Sequence, residues 1–196
     1  MRVVVLGGGS SGEHFVGALR RLDDDAELTL VERRLVGGEC SYWACMPTKT
    51  MLRAPELVAA AGRTPGVRAG GLDAGDVFRW RDVVAERDDS SQVEWLDSMS
   101  CELVRGDGVV AEPGVVRVRG RELVYDRLVI ATGSSAIIPK VVEGLDYWTN
   151  KEATETTDVP ATLVVLGGGR PARLLAGRPA TEIDYVRRRV RRDRSP

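Results

Sequence analysis

The 196-residue sequence holds one histidine, two phenylalanines, three cysteines and three lysines, and only 5% of its residues are aromatic. Each shortage excludes something. One histidine with three cysteines leaves few ways to build a tetrahedral zinc site, which takes four Cys or His ligands. Three cysteines are also too few for the disulfide framework of a secreted scaffold of this length. No apolar run reaches the ~18 residues of a membrane-spanning helix. The opening MRVVVLGGG enters an apolar strand without a basic leader or cleavage site, so the expectation is a cytoplasmic, non-membrane protein. The first 169 residues are net acidic, so the body of the chain does not look like a nucleic-acid binder.

What is present suits a globular chain, with 43% hydrophobic and 29% charged residues and a length near that of one domain. The charge is uneven. Residues 170–196 carry nine arginines against Glu182, Asp184 and Asp193, a local +6, while the first 169 residues hold 19 basic and 26 acidic side chains, a net −7.

Arg2 to Leu6 is an apolar run of the kind buried on both faces in a parallel sheet. It ends in Gly7, Gly9 and Gly12, a G-x-G-x-x-G spacing, after which Glu13 to Leu22 reads as helix and Glu27 to Glu32 alternates as a second strand. This βαβ order is the context in which the motif binds a dinucleotide. The glycines let a diphosphate approach the N–H groups of a helix N-terminus, and Glu32, 20 residues after Gly12, can accept hydrogen bonds from ribose hydroxyls.

Val36 to Lys49 reads VGGECSYWACMPTK and precedes a helix expected from about Thr48 to Gly62, with Leu52, Leu57, Val58 and Ala61 on its buried face. Cys40 and Cys45 are expected just ahead of that helix, where partial positive charge favours a thiolate suited to disulfide exchange. Zinc is the competing chemistry, with only Cys101 and His14 left to complete a site; two unrelated buried thiols are the third reading.

The run GGECSYWACMPTK resembles the redox-disulfide segment of the FAD-dependent pyridine nucleotide-disulfide oxidoreductases, class I, the group of dihydrolipoyl dehydrogenase, glutathione reductase and mercuric reductase. The resemblance implies FAD, not nicotinamide, at Gly7, Gly9, Gly12 and Glu32, with Gly38 a further cofactor contact. It implies that Cys40 attacks the substrate and Cys45 faces the flavin, and that Lys49 is the lysine near the flavin that stabilises its reduced form. Thr48 stands where the family more often has Ser. No metal ligand set is implied.

Further along, Asp73 to Arg87 and Ser90 to Met99 read as helices, with Val77, Trp80, Val84, Val93, Trp95 and Leu96 expected to be buried. CELVRG from Cys101 reads as a strand with a structural thiol, and Val109 to Tyr125 as a small antiparallel meander. Arg127 to Pro139 gives a strand ending in Ala131, Thr132 and Gly133, which resembles the family's second flavin-domain signature; YWTNKEA resembles its linker to the next domain. Thr162 to Gly169, TLVVLGGG, reads as the first strand and phosphate turn of a second dinucleotide fold, with Ala172 in place of its third glycine. Pro171, Gly177 and Pro179 then break the pattern, so neither a second strand nor an acidic ribose partner is expected after it.

The expected organisation is an α/β, Rossmann-like FAD-binding domain over 1–150, a parallel sheet with an antiparallel meander. A linker with the first strand of an incomplete NAD(P)-binding domain follows over 151–169, then an Arg-rich tail over 170–196 outside the family pattern. The resemblance implies NAD(P)H as electron donor and a small disulfide or related acceptor as substrate, with neither nucleic acid nor membrane as partner. The family's dimer, and the catalytic histidine of its interface domain, lie in parts with no counterpart here, and His14 does not match that histidine. The reading is thus a truncated or frameshifted family member, inactive alone. The alternative is a non-catalytic FAD-binding or interaction module complemented by another chain, and a rival reading of the tail is binding to an acidic partner or to nucleic acid.

Overall fold

The computed structural model describes residues 1–166 and the strand Tyr185–Val186. These divide into two compact units: Met1–Met46 with Ala85–Leu145, and Pro47–Val84 with the segment from Asp146 onward.

The first unit is built on a four-stranded parallel sheet. Its strands are β1 (Arg2–Leu6), β2 (Glu27–Glu32), β3 (Cys101–Arg105) and β7 (Arg127–Ile130), in the order β3-β2-β1-β7. The β-branched run Val3–Val5 makes β1 a central strand buried on both faces, paired with β2 and β7 in register Val3↔Leu28 and Val3↔Arg127. Helix α1 (Ser10–Leu22) crosses between β1 and β2 and buries Val16 on the sheet beside Val3, Val5, Leu28, Leu30 and Val36. Helix α5 (Ser90–Ser98) adds Leu96, 0% exposed, with Trp95 packed at the edge of the same core. On the other face an antiparallel meander, β4 (Gly108–Glu112), β5 (Val115–Val118) and β6 (Arg121–Val124), packs Val116, Val118 and Leu123 against Val4, Leu6 and Val31. The Rossmann-like α/β architecture with a meander is therefore as the sequence suggests.

In the second unit, α3 (Cys45–Arg63) runs on from Pro47, and α4 (Ala74–Val84) follows a glycine-containing loop. The α4 residue Arg81 is buried, donates to the Thr156 carbonyl just past α6 (Asn150–Glu155), and pairs with Asp82. A capping box between Thr149 and Glu152 opens α6.

Three expectations are corrected. Helix α3 starts at Cys45 rather than near Thr48, because Pro47 falls in the first turn, where its missing N–H costs nothing. Trp80 is 46% and Leu57 50% exposed, so neither is core: helical spacing places them on an apolar stripe but does not by itself bury them. Of Thr162 to Gly169 only β8 (Val165–Leu166) is strand, and a second strand does follow: β9 (Tyr185–Val186) pairs with it in parallel, Val165 opposite Tyr185. Residues 167–169, Ala172 and the arginines of the 170–196 tail lie outside the described residues. Among the described residues no helix is long and apolar enough to cross a membrane.

Candidate functional site

The C-terminal ends of β1, β2 and β7 converge on one glycine-rich turn. Gly7 leaves β1 at φ +102, and a Cβ there would lie 2.2 Å from the Ala131 carbonyl oxygen; a Cβ on Gly12 would lie 2.0 Å from the Gly7 oxygen. These two glycines are thus required by the chain's own packing. Gly9 differs: it has φ −77, and its nearest neighbour to a built Cβ is the Gly38 Cα at 3.9 Å. The two backbones approach closely here, since Gly38, at φ +61, would put a Cβ only 2.7 Å from the Gly9 Cα. Gly9 is also the N-cap of α1, and no side chain caps that helix. Its first N–H groups and its dipole therefore face an open cradle, an arrangement that suits a diphosphate.

Glu32 ends β2 beside this turn. Its Oε2 accepts from the Gly8 N–H at 2.8 Å and its Oε1 from the Arg34 N–H at 2.7 Å. Two backbone donors thereby orient the carboxylate and leave each oxygen a lone pair for a hydroxyl donor. Thr132 and Gly133 follow β7 and are exposed, with Gly133 at φ +72. The Ala131 N–H still bonds the Leu6 carbonyl at 2.7 Å, which carries the ladder up to the turn.

The segment after Glu32 folds back over the turn: Gly37 donates to the Gly8 carbonyl at 2.7 Å and pairs with Gly9 as a parallel bridge. It then enters the short helix α2 (Gly38–Tyr42). Cys40 in α2 and Cys45 at the first position of α3 form a disulfide, with Cα atoms 4.6 Å apart. Zinc and the unrelated-thiol reading are both set aside by that bond, since a disulfide sulfur is no metal thiolate. Cys101 is the free cysteine; it is 2% exposed, and burial pushes its thiol up to about 11, as befits a structural residue. Lys49 is exposed, one turn along α3 from Cys45. His14 lies exposed on α1, its Nδ1 against the Ser10 carbonyl.

Sequence reasoning missed the brace on this segment. Asp89, the N-cap residue of α5, does not cap it; its carboxylate accepts from the Val36 N–H at 2.7 Å and pairs with Arg105. Tyr42 donates to the Val36 carbonyl at 2.9 Å, and burial pushes its hydroxyl up to about 12. Trp43, between the cysteines, lies edge-on to Tyr42, with the guanidinium of Arg34 5.9 Å and that of Arg87 5.5 Å from its ring centre. The one available signal was the aromatic pair inside C-x4-C; the partners come from distant positions. Glu13, in the first turn of α1, has its carboxyl raised above the usual range by burial.

The family model for pyridine nucleotide-disulphide oxidoreductase matches residues 1–177. A mercuric reductase of Bacillus cereus is 32% identical over 168 residues, 82% of this chain and 27% of that protein. A dihydrolipoyl dehydrogenase of Chlorobaculum parvum is 32% identical over 183 residues, 85% of this chain and 38% of its own length. Among solved structures, the HOCl-induced flavoprotein disulfide reductase RclA of Escherichia coli superposes with a TM-score of 0.70 over 89% of this chain and 38% of its own, at 19% identity, a likeness of fold. The chain spans about a third of the length of the mercuric reductases it matches.

Proposed function

Because the chain belongs to the pyridine nucleotide-disulphide oxidoreductase family, we propose that it carries the flavin-binding and disulfide-bearing part of an NAD(P)H-dependent disulfide oxidoreductase. The observation that carries the reading is the open, uncapped cradle at Gly9 in the same unit as the Cys40–Cys45 disulfide. Residues 1–150 form the FAD-binding part, and 151–169 lead toward an NAD(P)-binding part. When bound, FAD supplies the two-electron relay between a nicotinamide and the disulfide.

The chain's own residues have separate tasks. Gly7 and Gly12 let β1, β7 and α1 close together, and Gly9 and Gly38 leave the cofactor's diphosphate room to reach the α1 N–H groups. Glu32 accepts from the ribose hydroxyls, while Ala131, Thr132 and Gly133 offer backbone and hydroxyl contacts at the end of β7. Lys49 supplies a positive charge that favours the reduced cofactor.

The reduced pair then performs disulfide exchange. The Cys40 thiolate attacks one sulfur of a small disulfide, forming a mixed disulfide and expelling a thiolate that takes up a proton. The Cys45 thiolate next attacks Cys40, re-forms the Cys40–Cys45 bond and releases the second thiol. Two electrons pass from the cysteine pair to the acceptor, which becomes two thiols.

The test is flavin retention. The purified chain is incubated with FAD and gel-filtered; the expected result is about one equivalent of bound flavin, with a long-wavelength absorbance on partial reduction that Cys45→Ser abolishes. A chain that retains no flavin overturns the assignment.

A further inference from the structure

The aromatic residue inside the disulfide turn is held by two cations. Arg34, from the loop after β2, and Arg87, from the segment before α5, each place a guanidinium over the Trp43 ring, within 6 Å of its centre. The same two stretches are tied to each other independently. Arg105 donates to the Arg34 carbonyl and pairs with Asp89, Asp89 accepts from Val36, and the Tyr42 hydroxyl bonds the Val36 carbonyl and lies 3.4 Å from the Asp88 carbonyl. Every anchor is in one compact unit and none involves the cysteines. The turn between Cys40 and Cys45 is therefore fastened to these two stretches through both of its aromatic side chains, Tyr42 by its hydroxyl and Trp43 by its ring.

We propose that Trp43, gripped by Arg34 and Arg87, is a positioning residue that sets the reduction potential of the Cys40–Cys45 pair. The disulfide is closed by its own covalent bond and gains little from the grip. The dithiol, without that bond, is confined mainly by what holds the turn. Loosening the turn enlarges the freedom of the dithiol more than that of the disulfide, lowers the effective concentration of one thiol at the other, and shifts the couple toward the reduced form. Cys40–Cys45 plus two glutathione molecules gives the dithiol plus oxidised glutathione, so the two electrons and two protons come from the named reductant. The inference concerns the disulfide alone and stands whether or not the chain binds FAD.

The experiment equilibrates the full chain, without flavin, in glutathione buffers of graded ratio, quenches with acid, alkylates, and reads the Cys40 and Cys45 peptides by mass spectrometry. Trp43→Leu is expected to shift the equilibrium about tenfold toward the dithiol, a potential about 30 mV less negative. Trp43→Phe, which keeps a ring under the two guanidiniums, is expected to restore most of the shift. The Arg34→Gln, Arg87→Gln double variant alters two exposed side chains and is expected to reproduce the Leu result even if Trp43→Leu fails to fold. Arg121→Gln, which breaks an exposed ion pair with Glu102, serves as the control and should leave the potential unchanged. A shift under twofold in the double arginine variant, or equal shifts for Trp43→Leu and Trp43→Phe, overturns the proposal.

Discussion

Replacing Gly9 and Gly12 by alanine, one at a time, separates what the glycine turn does for the fold from what it does for a ligand. At Gly12 the added methyl meets the Gly7 carbonyl oxygen at 2.0 Å, a backbone atom that cannot rotate away. Overpacking of this kind costs ~1–3 kcal/mol where side chains can yield; with backbone on the far side we expect about 3 kcal/mol. For a chain of this length that lowers Tm by roughly 6–12 °C. At Gly9 the methyl meets only the Gly38 Cα, at an ordinary contact distance of 3.9 Å, and φ is ordinary. The unfolded chain loses freedom, which stabilises by ~0.4–1 kcal/mol, and alanine is a poorer N-cap than glycine by a comparable amount. The net is within about 1 kcal/mol of zero, or about 4 °C. The same methyl stands where a diphosphate must approach the α1 N–H groups. Loss of one charge-assisted hydrogen bond, ~1.5–3 kcal/mol, weakens FAD roughly 10- to 150-fold. Thermal melts without cofactor and a flavin-fluorescence titration read the two effects. If Gly9→Ala melts as early as Gly12→Ala, or binds FAD as tightly as the parent chain, the cradle is misassigned.

Three further outcomes follow from particular side chains. Leu96→Ala should cost ~2–5 kcal/mol, since Leu96 is wholly buried, and urea unfolding should show the midpoint fall. Cys101 should be silent to a chromogenic thiol reagent at neutral pH in the oxidised native chain and give one equivalent on unfolding. Because burial raises the Cys101 thiol from 9.0 to about 11, the unfolded chain loses that proton first; its share of stability is full below pH 9 and is lost as pH rises toward 11. Tyr42, raised from 10.0 to about 12, adds a second decline over pH 10–12, which urea midpoints of Cys101→Ala and Tyr42→Phe should resolve individually.

The turn and the disulfide were legible because their constraints are local. Gly12 answers to the Gly7 carbonyl within the β1–α1 turn and Gly38 to Gly9 across the fold-back, so near spacing carries that information, whereas Gly7 answers to Ala131 at the end of β7 and is legible only through the motif it belongs to. Cys40 and Cys45 are five residues apart, within reach of each other through one turn. Burial of helix faces was less legible. Trp80 and Leu57 repeat at helical spacing just as Leu96 does, yet Leu96 is wholly buried and the other two are about half exposed. Periodicity states which residues share a face, not whether another element covers it.

The brace around Trp43 belongs to a third kind. Arg34, Asp89, Arg105 and Trp43 are charged or aromatic residues in segments up to 71 positions apart, and none stands out in its own window. Their meeting depends on β2 and β3 lying side by side, Glu32 opposite Arg105, which places the ends of both strands under the redox segment. Asp89 stands at the N-cap position of α5, but its carboxylate serves Val36 and Arg105 instead, so α5 starts without a side-chain cap. Forgoing a cap gives up about 1 kcal/mol of helix stability. That loss is offset by a charge-assisted bond to the Val36 N–H that fixes the chain entering Gly37. Since Gly37 and Gly38 shape the floor over Gly9, the carboxylate of Asp89 contributes to the cradle without touching it.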